Sequence, residues 1–410
     1  MLRSGVAAKR VLRIPQVRGA NRDAVLLLLQ QNDFMSRADV ARQCGLSEGA
    51  ISRIMTGLMS DGLVREDGAE NSTGGRPGRR LKLEPRRVVF GAEIQNWETR
   101  CAISTMRGGI VETRRFRTPA SPEATLDQVI AAFLSFKKEV RSDRLPGIGI
   151  CARGIVNSET GVLVLGNRPE WRQVPIRHYL ESRLREPVFV ENNVRAAALA
   201  EYTYGAAEIM GRRCFVFVKL DEGVGMSVLF DGKLYHGPHM AAGEFGQMVM
   251  DTSLRTERHD RPGCLEQLVS NPAVCDRYAE LSGNRGQSDI GNTSARVHRI
   301  VERAGAGDTP ARQTVEETAR YLGIGISNIV WSLDADSIVI DAAIAGRWQL
   351  VEPLLRRQLP DTPALWGPRD LLLRPSALGG EAALIGASTL PLTAFFSHAS
   401  RLAPSRASHR

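Results

Sequence analysis

Arg76, Arg79 and Arg80 lie among glycines and Pro77 in ENSTGGRPGRR, and upstream of them Ser47, Glu48, Gly49, Ser52 and Arg53 open a stretch of helical apolar period. Arginines on an extended Gly-Arg-Pro segment suit a narrow minor groove, where enhanced negative potential attracts guanidinium groups. Hydroxyls, small residues and one guanidinium at a helix start suit base edges and phosphates in a major groove. Both chemistries require a polyanion. The charge supports this: residues 1–87 hold 16 Lys and Arg against 9 Asp and Glu, whereas the rest holds 38 against 36. A nearly neutral body thus carries a basic head. A solvated basic terminus would carry the same excess, so charge alone does not separate the two readings. The isolated histidines His178, His236, His239 and His298 show no pairing in the sequence, and His236 and His239 read as packing or polar surface groups. Six scattered cysteines without a C-x-x-C pair read as reduced thiols of a cytoplasmic protein.

The elements that must position the head residues can be read from period and caps. NRDAVLLLLQQ predicts a helix from Asn21 to Gln31, with Asn21 as its cap. Ser36 opens a second helix with Asp39 three positions on, and Gly45 stops it. Ser47 caps a third, with Ala50, Ile51, Ile54, Leu58 and Met59 on its inner face and Gly62 at its end. A short helix, a tight turn and a longer helix form a helix-turn-helix. Leu63-Val64-Arg65 and Leu81-Lys82-Leu83 then alternate as two hairpin strands, which makes the arginine-bearing segment the tip of a wing.

From Val88 the pattern changes. VVFGAEI, TRCAISTM and GIVETRRF predict three strands, followed by a helix from Ala124 to Val140 and an apolar strand, GIGIC. RCFVFVKL, GVGMSVLF and GKLYHG repeat the meander, followed by helices, a long one from Thr314 to Trp331 among them, and a buried strand, DSIVIDAA. Two such units predict two α/β lobes with a ligand cleft between them. No apolar run is long enough to cross a bilayer, and no signal peptide is recognised at the N-terminus. A cytoplasmic location without membrane contact is therefore expected.

The stretches NRDAVLLLLQQNDFMSRADVARQCGLSEGAISRI, GGRP, VENNVRAAALAE, GVGMSVLFDGKLYHGPHMAAGEFGQ and RPGCLE resemble, in order and spacing, the ROK family (repressors, open reading frames, kinases) in its repressor branch. The resemblance spans roughly residues 20 to 390. It implies an α/β architecture: an N-terminal winged helix-turn-helix followed by a two-lobed actin- and hexokinase-like body, assembled as a dimer or tetramer. The expected division is a basic arm at 1–20, the winged helix at 21–84, the sugar-sensing body at 85–390 with its lobes split near 200, and a flexible tail at 391–410.

Family members that phosphorylate sugars carry Asp-x-Gly-Gly-Thr where this chain has Glu93-Ile94-Gln95-Asn96-Trp97. The permissive glycines are gone, and bulk obstructs the close backbone approach that phosphate needs. At Glu222-Gly223-Val224-Gly225 an acidic side chain sits beside the second phosphate loop. The catalytic Asp of Glu-Asn-Asp is Asn193 in Glu191-Asn192-Asn193, and an amide cannot take a hydroxyl proton as a base. The later Gly-Gly is Ala342-Ala343. Kinase activity is expected to be lost, and no residue is assigned a catalytic role. The resemblance places Gly154, Asn192, Asn193, Glu244, Gln247 and Glu266 at a sugar. Its structural zinc pattern falls on Gln247, Glu257, His259 and Cys264, a degenerate set. No metal or other cofactor is expected. The reading is a transcriptional regulator, a repressor by its branch, that binds operator DNA and a sugar or sugar derivative. The alternatives are a residual ATP-dependent sugar kinase with a DNA-binding head, and a ligand-independent architectural DNA binder.

Overall fold

The computed structural model describes residues 14–69, 79–85, 87–140, 147–209, 211–252, 263–283, 293–359 and 371–399. Its head comprises α1 (Ile14–Gln31), β1 (Met35–Ser36), α2 (Arg37–Cys44), α3 (Glu48–Ser60), β2 (Val64–Ala69) and β3 (Arg79–Leu83). The first helix enters the segment expected to be an arm, so Asn21 lies inside it and is not its cap. The other caps form as read. Ser36 accepts from the Asp39 amide, Gly45 closes α2 in the left-handed region, and Ser47 accepts from the Ala50 amide. Ile51, Met55 and Leu58 are the buried residues of α3. Met59, expected inside, is 36% exposed; the helical stripe runs through Met55 instead. The hairpin gains a third strand, because Met35 and Ser36 pair with Leu81 and Arg80 in the order β1-β3-β2.

The first lobe contains β4 (Val88–Ile94), β5 (Glu98–Thr105), β6 (Ile110–Arg117), α4 (Pro122–Val140), β7 (Ile148–Ala152), a small ribbon of β8 (Ile155–Asn157), β9 (Val162–Leu165) and β10 (Arg172–Val174), then α5 (Ile176–Leu184), β11 (Val188–Asn192) and α6 (Asn193–Tyr204). The second contains β12 (Cys214–Leu220), β13 (Val224–Phe230), β14 (Lys233–Leu234), α7 (Leu265–Val269), α8 (Asn271–Leu281), α9 (Thr293–Gly305), α10 (Thr309–Leu333), β15 (Ser337–Ala342), α11 (Trp348–Arg356) and β16 (Leu372–Pro375), and α12 (Ala382–Ala399) ends the described chain. The two large sheets have one plan. Each is an antiparallel meander followed by two parallel strands, β6-β5-β4-β7-β11 and β14-β13-β12-β15-β16. The repeat expected from the strand patterns is thus present, down to the parallel additions.

The last helix departs from expectation. Pro391 was to begin a flexible tail, yet α12 continues through it to Ala399. It packs on α6, β4 and β7, so the first lobe is built from two stretches of chain and not from one ending near residue 200. Alanines and glycines permit this close packing: a Cβ on Gly386 would lie 1.9 Å from the Ala196 carbonyl oxygen, and one on Gly149 1.7 Å from that of Ala387. Leu392, only 2% exposed, joins Val89 and Met106 in the same apolar cluster as Leu26, Val40, Ile51 and Leu81 of the head. Gln30 also donates to the Met106 carbonyl at 3.1 Å, and Arg107 pairs with Asp33. Head and body therefore share a core.

Candidate functional site: an interlobe cleft and an exposed helix start

At the C-terminal ends of the parallel strands, where open α/β sheets place their ligands, the two lobes border an open cleft of about 240 Å³. Gly154, Asn192, Asn193, Glu244, Gln247 and Glu266 all line it. Residues distant in sequence thus converge on one space.

Each arrives for a local reason. Gly154 has φ +119°, and a Cβ there would lie 2.1 Å from the Leu165 carbonyl oxygen, so the turn over the cleft needs glycine. Asn192 ends β11 and caps α6: its Oδ1 accepts from the amides of Val194 at 2.8 Å and Arg195 at 3.1 Å, while its Nδ2 donates to the Gly154 carbonyl at 2.8 Å. This double use ties the glycine turn to the helix. Asn193, the next residue, is 9% exposed and borders the cleft at the first position of α6. Glu266 accepts from the Val224 amide at 2.9 Å. Burial raises the pKa of Glu244, and the Glu266 charge adds to this, against an opposing pull from Arg195. Gln247 borders the same space from the short turn after Glu244.

Beneath the cleft is a buried hub that sequence did not reveal. Glu191 is 3% exposed, and its carboxylate takes Arg195 Nε at 2.6 Å, Ser158 Oγ at 2.8 Å and His236 Nε2 at 2.8 Å. Burial opposes its ionisation, but the His236 hydrogen bond and the Arg195 charge prevail, and its pKa lies below the usual range. Arg195 donates onward to the carbonyls of Val156 and Met240. His236, which reads from the sequence as a packing or polar surface group, is therefore paired across a long stretch of chain.

Arg153, Lys219 and Asp221 also line the cleft and were missed. A signal existed for Lys219, the lone charge near the end of the apolar run CFVFVKL. It pairs with Asp341 on the adjacent strand at 2.5 Å.

The positions of the kinase loops are otherwise occupied. Glu93, 1% exposed, accepts from Arg100 Nε at 3.0 Å and from Gln95 at 2.7 Å, and Arg100 continues to Glu381 at 2.9 Å and the Gly380 carbonyl. This ion-pair network sits across the β4–β5 ladder behind the first hairpin turn, and the Gln95 side chain is drawn back into it. Trp97 is exposed and stacks under the Arg168 guanidinium at 5.0 Å. Of the degenerate zinc positions, Gln247 and Cys264 are described and Glu257 and His259 lie outside the described residues. Cys264 is 1% exposed and bridges to Val249. A neutral amide, a carboxylate, an imidazole and one thiol do not fit the family's tetrahedral site of one imidazole and three thiolates.

In the head, Ser47, Glu48, Gly49 and Arg53 are exposed and Ser52 is half-buried, all at the start of α3. A Cβ on Gly49 would touch nothing, so nothing inside the chain requires glycine there. Arg79 begins β3; Arg76 lies outside the described residues. Arg80 and Lys82 instead lie over the Phe34 ring at 5.7 and 5.2 Å, beside rather than on the tip.

Comparison with known proteins follows this division. A ROK family model matches residues 89–394, and a model described as winged helix-turn-helix DNA-binding matches residues 23–65. The xylose repressor of Bacillus spizizenii is 25% identical over 92% of this chain and 96% of its own length. The glucokinase of Streptomyces coelicolor is 26% identical over 74% of this chain and 97% of its own. Among solved structures, a ROK family transcriptional regulator homologous to the E. coli MLC protein superposes with a TM-score of 0.75 at 21% identity, covering 93% of this chain and 97% of that one.

Proposed function

The chain belongs to the ROK family, and from that premise we propose that it is a DNA-binding transcriptional repressor controlled by a sugar in the interlobe cleft, without kinase activity. One observation carries the reading. Asn193, at the cleft, opens α6; α6 packs on α12; and Leu392 of α12 lies in the core of the DNA-binding head. A ligand held at Asn193 therefore touches a packed series of first-lobe elements that reaches the head. The head presents the start of α3 to a major groove, and a dimer would read a palindromic site. The xylose repressor, similar over nearly its whole length, supports this assignment. Amides and carboxylates supply the directional donors and acceptors that sugar hydroxyls need. The donor set around Gln247 and Cys264 argues for a loop held without zinc. No described helix is long and apolar enough to cross a membrane; a DNA partner supports a cytoplasmic location.

The glucokinase likeness supports the second reading, a sugar kinase. Against it stand the amide at Asn193 and the Glu93–Arg100 pair. Fluorescence anisotropy on the intergenic DNA beside the protein's own gene, at two salt concentrations and with a panel of sugars, tests the first reading. Sequence-selective binding shifted by one sugar is expected. Binding with no sequence preference, or ATP-dependent sugar phosphorylation by the purified protein, would overturn it.

A further inference from the structure

Six charged residues line the cleft and its extension toward Trp97: Arg153, Lys219, Asp221, Glu222, Glu244 and Glu266. Both cations are already matched by the chain. Lys219 is held by Asp341 at 2.5 Å, and Arg153 Nη1 donates to Glu222 Oε2 at 3.2 Å. Asn96 Nδ2 reaches the same oxygen at 3.4 Å. Arg153 and Asn96 belong to the first lobe and Glu222 to the β12–β13 turn of the second. A guanidinium and an amide converging on one oxygen form an anion seat, and a carboxylate of the facing lobe occupies it.

We propose that Glu222 makes the cleft selective for an uncharged, unphosphorylated sugar, by filling the anion seat of Arg153 and Asn96 with the protein's own carboxylate; this rests on the sugar-sensing reading above. Three more carboxylates remain around the space. Asp221 accepts from Asn271 at 3.2 Å, Glu266 from the Val224 amide, and Glu244 stands beside Glu266. Among the described residues the lining has no cation in excess. A phosphate dianion would have to displace Glu222 and then lie near like charges in a partly desolvated space. A neutral sugar meets only hydrogen-bonding groups. The same contact crosses the cleft, so Glu222 also latches the lobes together from one side.

Trp97 borders this extension, and its emission provides a local readout. The probes are pyrophosphate, and the pairs glucose and glucose 6-phosphate, and N-acetylglucosamine and its 6-phosphate, titrated into the full chain. The signal counted is the part of the emission change that Trp97→Phe removes, which sets aside anion binding at the basic head. Wild type should give no saturable pyrophosphate response. Glu222→Gln keeps the shape, releases Arg153, and should gain a saturable response; adding Arg153→Gln should remove it again. Pyrophosphate binding by wild type that Arg153→Gln abolishes, or a Glu222→Gln protein that gains nothing, overturns the proposal. So does any sugar phosphate bound more tightly by wild type than its free sugar. A wild type that answers no sugar on this panel or a wider one counts against sugar sensing, while the pyrophosphate arm still decides the role of Glu222.

Discussion

Asn193 and Asp23 show how one atom changes what a position can do. At Asn193 an amide replaces a base, yet restoring the carboxylate should not restore a kinase. Asn193→Asp is expected to give no sugar-dependent ADP release, because the first hairpin turn still lacks the glycines that phosphate needs and Glu222 still holds Arg153. Turnover in that variant would show that those two obstacles are not real. In the head, burial raises the pKa of Asp23 to about 6, against the attraction of Arg22, and its Oδ1 has no hydrogen-bond partner among the described residues. The folded pKa lies above the ordinary value of 3.8. The stability linked to this group is therefore full below that value and is lost as pH rises toward about 6. Asp23→Asn should remove this decline, leaving the variant more stable than wild type at pH 7 and relatively less so at pH 4; urea unfolding at both pH values measures it. An unchanged difference between the two pH values would mean that Asp23 titrates normally.

At the scale of elements, α12 is the helix that joins the first lobe to the head. Its first turn lies beside Glu381 and Gly380, which hold Arg100, and Leu392, past its midpoint, is buried in a cluster shared with the head. Leu392→Ala should cost about 2–5 kcal/mol, the range for a buried leucine that leaves a cavity. It should also weaken the effect of sugar on operator binding while leaving sugar affinity in the cleft unchanged, as judged by titration calorimetry beside anisotropy. Equal sugar responses in variant and wild type would remove α12 from the coupling. Sequence gave little warning of this helix, because Pro391 and the small polar residues after it read as a stop. Tertiary contacts overrode that local signal: the helix is packed against α6 and two strands before it reaches the proline. The caps at Ser36 and Ser47 were legible because each bond spans only three residues.

For the whole molecule, the excess of positive charge in the first fifth of the chain dictates how DNA binding responds to salt. Log affinity should fall linearly with log salt, and Arg53→Ala should reduce the slope by about 1 if that side chain meets a phosphate. If Arg53 reads a base instead, the slope stays nearly constant and sequence preference relaxes at one position. A variant that changes neither would exclude the start of α3 from the interface. The head is not a separate appendage on the body, since one apolar cluster spans their junction.

The sequence by itself determined the helix-turn-helix, the two meander units, and the residue types that rule a base in or out at Asn193. These depend on local period, on caps a few residues apart, and on side-chain chemistry that no fold can alter. Only the tertiary structure decided that Asn192 caps α6 while holding the glycine turn, that His236 meets Glu191, and that Glu222 reaches Arg153 and Asn96. Those partners are separated by tens of residues or more, or depend on a second bond that is, and they meet because strand order brings the ends of distant strands together. Charge type is written in the sequence, but whether a charge is spent within the chain or left for a ligand depends on which other charge lies within reach.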